Sequence, residues 1–92
     1  MKYDYIIIGG GSAGCVLANR LTENGQFNVA LFEAGKPSDI WKVKMPLAIL
    51  YTMHDPKYNW KYYSEPEPYL HNRKLFCPRG KMIGGCSAHN GM

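Results

Sequence analysis

No apolar run in this sequence approaches the roughly 20 residues that a bilayer-spanning helix needs. The apolar stretch near its start, Tyr5–Ile8, is four residues long. The same shortage argues against a cleavable secretory leader, which requires a basic end followed by a longer apolar segment. Cysteine is scarce: Cys15, Cys77 and Cys86 are too few and too widely spaced for a disulfide framework or a four-ligand zinc site. The expectation is a reducing, cytoplasmic compartment. Acidic residues are outnumbered, seven Asp and Glu against eleven Lys and Arg, for a net charge of +4. The imbalance is local. Residues 1–35 hold two bases and three acids, whereas residues 36–92 hold nine bases and four acids. A basic second half suits a phosphate-bearing ligand, nucleic acid or an anionic surface, and equally an ordinary solvated face. With 92 residues, 46% of them hydrophobic, the chain is one small folded unit and not a disordered tail.

What is present is most legible in the first third. Tyr3–Ile8 is a β-branched and aromatic run that stops at glycine, the pattern of a parallel strand buried on both faces. Gly9-Gly10-Gly11 breaks it, and the Ser12 hydroxyl is placed to cap a helix. That helix is predicted from Ala13 to about Asn24. Ala13, Val16, Leu17 and Leu21 recur at three- and four-residue steps, and Gly25 serves as its stop. Residues 28–33, Asn-Val-Ala-Leu-Phe-Glu, read as a second strand. Strand, glycine turn, helix and strand open a βαβ unit, so the fold class is α/β: a Rossmann-like half, incomplete, with a largely irregular remainder. From Lys36 six prolines punctuate the chain. A short helix is expected over Met45–Met53 behind Pro46, with short strands over Trp60–Ser64 and Arg73–Cys77. A second glycine turn, Gly84-Gly85, stands before a helix start at Cys86-Ser87.

Gly9-x-Gly11-x-x-Gly14 falls between the first strand and the helix. The first glycine allows a sharp turn, the second lets a pyrophosphate approach the backbone, and the third lets helix and strand pack closely. Ser12 and Ala13 lie at the helix start, where free N–H groups and the helix dipole favour phosphate. Glu33, nineteen residues after Gly14 and followed by Ala34, ends the second strand, where an acid accepts hydrogen bonds from the adenosine ribose hydroxyls. An acid there also repels a 2′-phosphate. The motif by itself does not separate FAD from NAD, and a purely structural turn would show the same glycines.

Three segments together resemble the glucose-methanol-choline (GMC) oxidoreductases, FAD-dependent alcohol oxidases and dehydrogenases. They are Gly9-Gly10-Gly11-Ser12-Ala13-Gly14-Cys15, Glu33-Ala34-Gly35, and the stretch from Arg79-Gly80-Lys81 through Gly84-Gly85-Cys86-Ser87-Ala88-His89-Asn90-Gly91-Met92. Trp60-x-Tyr62-x-Ser64-Glu65-Pro66, between them, resembles the family's aromatic-Ser-Glu-Pro segment, so the likeness covers the whole chain. It implies FAD as the cofactor, with Arg79, Gly84, Gly85, Cys86, Ser87, His89, Asn90 and Gly91 added to Gly9, Gly11, Ser12, Ala13, Gly14, Glu33 and Ala34 as its binding residues. Cys86 and His89 depart from the commonest pattern. Cys-Ser-x-His-Asn is similar to the choline oxidase branch, in which the matching histidine is linked covalently to the flavin; otherwise His89 packs beside the ring or bonds a carbonyl. The resemblance also implies that the catalytic base and the substrate part lie downstream of this chain, with an alcohol as substrate.

The remaining features read as structural. His54 and His71 lack partners at ligand spacing and are expected at the surface. Cys15 and Cys86 are expected to pack. Tyr51, Tyr58, Trp60, Tyr62 and Tyr63, interleaved with Lys57 and Lys61, imitate a single-strand nucleic-acid platform, but the expectation is no nucleic-acid partner. Two parallel strands with open edges are expected to make the isolated chain poorly stable and a weak FAD binder. The alternatives to a flavoenzyme part are a non-catalytic nucleotide-binding module and an NAD-binding fragment.

Overall fold

The structure, a computed structural model, describes residues 1–38 and 41–89. Its first layer is a two-stranded parallel sheet, β1 (Tyr5–Ile8) with β2 (Val29–Phe32), joined through helix α1 (Ser12–Thr22). Tyr5 stands opposite Val29 and Ile8 opposite Phe32. β1 begins at Tyr5 rather than Tyr3 because Asp4 is used otherwise: its N–H donates to the Asn28 carbonyl at 2.8 Å, and its Oδ2 accepts from Asn28 N, also at 2.8 Å. The helix closes as expected, with Gly25 at φ +65° donating to the Thr22 carbonyl at 3.1 Å.

Burial corrects one expectation. Side chains alternate along a strand. Of the three isoleucines only Ile7 is buried, beneath α1, whereas Ile6 is 64% and Ile8 87% exposed. The second face of the sheet is covered by no element among the described residues. Ser12 is also corrected. It is the first helical residue, not the cap; Gly11 is the cap residue and no side chain caps the helix. The Ser12 hydroxyl donates instead to Ser87 Oγ at 3.0 Å.

The second half is built from short pieces. α2 (Trp41–Lys44), a four-residue helix not expected from the sequence, precedes a 3-10 turn (Pro46–Ala48) and α3 (Ile49–Thr52), which occupy the region expected to be helical, with proline at the first turn. β3 (Tyr62–Tyr63) pairs antiparallel with β4 (Phe76–Cys77). Both are shorter than the sequence suggests. Lys61, at φ +54°, breaks the extended run before Tyr62. Beyond Tyr63 the Ser64 hydroxyl accepts from the Leu75 N–H at 2.9 Å, and Arg73 pairs apart with Glu67 at the turn of His71 and Asn72 (φ +59° and +58°). Met82, fully buried, ties the halves together. It bridges to Lys36 just beyond β2, and Ile83 N donates to the Lys36 carbonyl at 3.2 Å. Burying such a side chain contributes roughly 1.5–3 kcal/mol. The remaining core is small: Ile7, Ala30 and Ala48, with the polar Thr52 and Asn59.

Candidate functional site

Beyond the carboxyl end of β1 the chain turns at Gly9, whose N–H donates to the Phe32 carbonyl at 2.7 Å and so ties the turn to the end of β2. α1 then lies so close to this turn that a Cβ at Gly14 would run into the Gly9 carbonyl. No side chain fits there, which is the physical content of the third glycine. At the other wall Glu33 is held by two backbone donors: Gly10 N to Oε2 at 2.7 Å and Gly35 N to Oε1 at 2.8 Å. Each carboxylate oxygen keeps a lone pair for a further donor.

The distant second motif meets the first. Gly84 N donates to the Gly10 carbonyl at 2.7 Å. Gly85 adopts φ +59°, and a Cβ on it would stand 2.9 Å from Gly11 Cα, so the two glycine turns touch backbone to backbone. Ser87 Oγ accepts from Ser12 and donates to the Gly84 carbonyl at 2.7 Å, which adds a hydroxyl link between α1 and the second turn.

Together these turns line an open cleft of about 510 Å³. Gly9, Gly11 and Ser12 come from the first turn, Glu33 and Ala34 from the end of β2, and Gly85 and Cys86 from the second motif. Ala13 and Gly14 stand behind it in the first turn of α1. The N–H groups of Gly11, Ser12 and Ala13 have no partner among the described residues. A Cβ built on Gly11 would meet nothing within 4 Å, so the cleft keeps open room beside those donors. Unpartnered donors, an acid and open space beside a glycine backbone fit the diphosphate and ribose of the FAD that the sequence resemblance implies.

Other expected site residues lie elsewhere. Arg79 donates to the carbonyl of its neighbour Pro78 at 2.7 Å and does not line the cleft. His89 lines a separate cavity of about 80 Å³ with residues of α2 and α3, and its Nε2 is buried without a partner among the described residues. Asn90 and Gly91 lie outside the described residues. The helix expected from Cys86-Ser87 is a four-residue 3-10 turn, Gly85–Ala88, too short to carry a useful dipole. Cys86 is exposed rather than packed; its sulfur accepts from Gly80 N at 3.4 Å. Cys15 is partly buried and its thiol donates to the Gly10 carbonyl at 3.2 Å. His54 is exposed, stacked on Phe76 at 5.3 Å, and His71 is exposed in its turn. Trp60 also lines the cleft, a placement that its sequence neighbourhood does not announce.

A family model for GMC oxidoreductase matches residues 3–92. The chain belongs to the GMC oxidoreductase family. With the family come the Rossmann-like α/β class and an FAD cofactor. Among curated GMC relatives, the oxygen-dependent choline dehydrogenase of Cronobacter sakazakii is 52% identical over 94 residues, which takes in 100% of this chain and 17% of that enzyme. Among solved structures, pyridoxine 4-oxidase from Mesorbium loti superposes with a TM-score of 0.90 at 35% identity, covering 99% of this chain and 18% of the oxidase. An FAD-dependent oxidoreductase from Chaetomium thermophilum gives a TM-score of 0.80 at 34% identity, over 99% of this chain and 15% of its own. The chain therefore spans about a sixth of the GMC proteins it matches. No helix among the described residues is long and apolar enough to cross a membrane.

Proposed function

We propose that this chain is the FAD-binding part of a flavin-dependent alcohol oxidoreductase, with residues 1–35 as the dinucleotide cradle and residues 36–92 returning a second glycine turn to it. The observation that carries the reading is the 2.7 Å hydrogen bond from Gly84 N to the Gly10 carbonyl, which brings the two turns to one cleft beside Glu33. FAD, when bound, supplies the hydride acceptor for oxidation of an alcohol carbon. The part played by these residues is binding and orientation. The N–H groups of Gly11, Ser12 and Ala13 hold the diphosphate. Glu33, fixed by Gly10 and Gly35, accepts the ribose hydroxyls through its remaining lone pairs. Gly9 and Gly14 shape the turn, Ala34 borders the ribose, and Gly84, Gly85, Cys86 and Ser87 close the cleft, with Asn90, Gly91 and Arg79 assigned to the same group on the sequence motif.

The substrate is a small alcohol, and the proton acceptor and substrate pocket belong to the greater part of the enzyme, which pairs with this chain's uncovered faces. A cytoplasmic location fits three cysteines that form no disulfide. His89 is proposed as the point of covalent flavin attachment. Its support is the Cys-Ser-x-His-Asn motif together with an Nε2 that has no hydrogen-bond partner among the described residues; from its present place in the separate cavity the ring must turn toward the cofactor to make the link. Acid precipitation of the flavin-loaded protein tests this. Yellow colour retained in the pellet is expected, and complete release of flavin to the supernatant would remove the attachment while leaving the binding site intact. Release of no flavin at all, from pellet or supernatant, would remove the whole reading.

A further inference from the structure

One wall of the cleft has no role in the site as described. Trp60 lines the same space as Glu33 and Ala34, and its surroundings fix it there. Its backbone N–H donates to the Arg79 carbonyl at 2.9 Å. The preceding Asn59, only 2% exposed, clamps both strands of this corner: its Oδ1 accepts from Lys61 N at 2.8 Å and from Arg79 N at 3.1 Å. The following Lys61 holds φ +54°, a left-handed backbone that residues with a Cβ rarely adopt. The indole is stacked on Tyr62 at 5.9 Å, with planes within 7° of parallel, and Lys81 Nζ lies 4.4 Å from its centroid. Lys81 forms no ion pair among the described residues. This corner belongs to the β2 end of the cleft, because a Cβ on Gly35 would collide with the Lys81 carbonyl. The β2 end is where the acid that serves the ribose stands, whereas Gly11 and Ser12 mark the diphosphate.

We propose that Trp60, braced by Tyr62 and Lys81, is the wall against which the adenine of the dinucleotide rests, with the Lys81 ammonium adding positive charge beside the adenosine diphosphate half. The proposal rests on the FAD reading above and adds a residue and a cofactor half to it. The exposed part of the indole offers a purine an apolar surface, and the ammonium held beside it offers an electrostatic partner to the phosphates. The proposal assigns this corner to the adenosine half alone, so ligands that carry only one half of the cofactor separate the effects.

The test is reconstitution of the flavin-free form of the holoenzyme carrying His89→Ala, which cannot form the covalent link, with FAD and with FMN, using ADP as a competitor against FAD. Trp60→Leu is expected to weaken FAD and ADP binding about tenfold, the scale of losing one aromatic contact to a base, and to leave FMN binding unchanged. Trp60→Phe, a smaller change that keeps a ring and serves if the leucine variant does not fold, is expected to lose about two- to threefold for FAD only. Equal losses for FAD and FMN, or no loss for either, would overturn the adenine wall while leaving the FAD site standing. A wild-type protein that takes up no FAD would overturn both.

Discussion

At the scale of single residues, the site depends on places where a side chain is absent. Gly14 is the most constrained, since any Cβ meets the Gly9 carbonyl. Gly14→Ala must push α1 off the turn, an overpacking cost of about 2 kcal/mol or more. The expected outcome is a lowered midpoint in chemical denaturation together with reduced flavin content. Retention of both would show that the turn has slack it does not display. Much of this was legible in the residues, because a glycine spacing between a strand and a helix carries its own steric logic. Glu33 was legible as an acid at the end of β2. Its second task, pinning Gly10 and Gly35, was not, because a sequence does not show which backbone donors are left over. Cys86 was misread for a similar reason. Its exposure depends on how Gly80 and Gly85 fold back beside it, not on its own chemistry.

At the scale of elements, β1, α1 and β2 follow from local patterns: an apolar run, a helical period and a second apolar run, each ended by glycine or a polar residue. The second half resisted the same reasoning. β3 and β4 are two residues each, and their limits are set by the left-handed Lys61 and by the Ser64 hydroxyl accepting from the Leu75 N–H rather than by propensity. The docking of the second glycine turn is a contact between residues more than seventy positions apart, supported by Met82 and the Ser12–Ser87 hydroxyl link. Gly85→Ala tests that docking. The residue sits at φ +59° and its Cβ would lie 2.9 Å from Gly11 Cα, so the second turn must shift away. The expected result is at least tenfold weaker FAD binding with an unchanged far-UV circular dichroism spectrum. FAD binding equal to wild type would mean that the second turn does not shape the cleft.

At the scale of the whole molecule, the 92 residues do not enclose themselves. Their radius of gyration is 16.3 Å, against roughly 12 Å for a compact chain of this length. Their accessible surface is 7030 Å², against roughly 5,400 Å² for a folded monomer of this mass. Ile6, Ile8, Leu47 and Leu50 are among the exposed apolar side chains. The chain expressed by itself is therefore expected to show a broad, non-cooperative thermal transition and concentration-dependent aggregation. A sharp, reversible melt of a monomer would contradict the view that its uncovered faces require further protein to cover them. The open edges of the parallel sheet were legible because the first third holds only two strand patterns; the extent of uncovered surface was not, because it depends on where the irregular half lies.

The central claim is that the space beside the first glycine turn belongs to the cofactor, and Gly11 isolates it. Its backbone, at φ −78°, suits any residue, and an added Cβ meets no protein atom within 4 Å. Gly11→Ala in the flavin-free protein is thus expected to change stability by no more than about 0.5 kcal/mol. FAD titration of that variant, followed by flavin fluorescence, is the most direct measurement. Affinity at least tenfold below wild type, with the fold unaltered, is the result this account requires; wild-type affinity would contradict it.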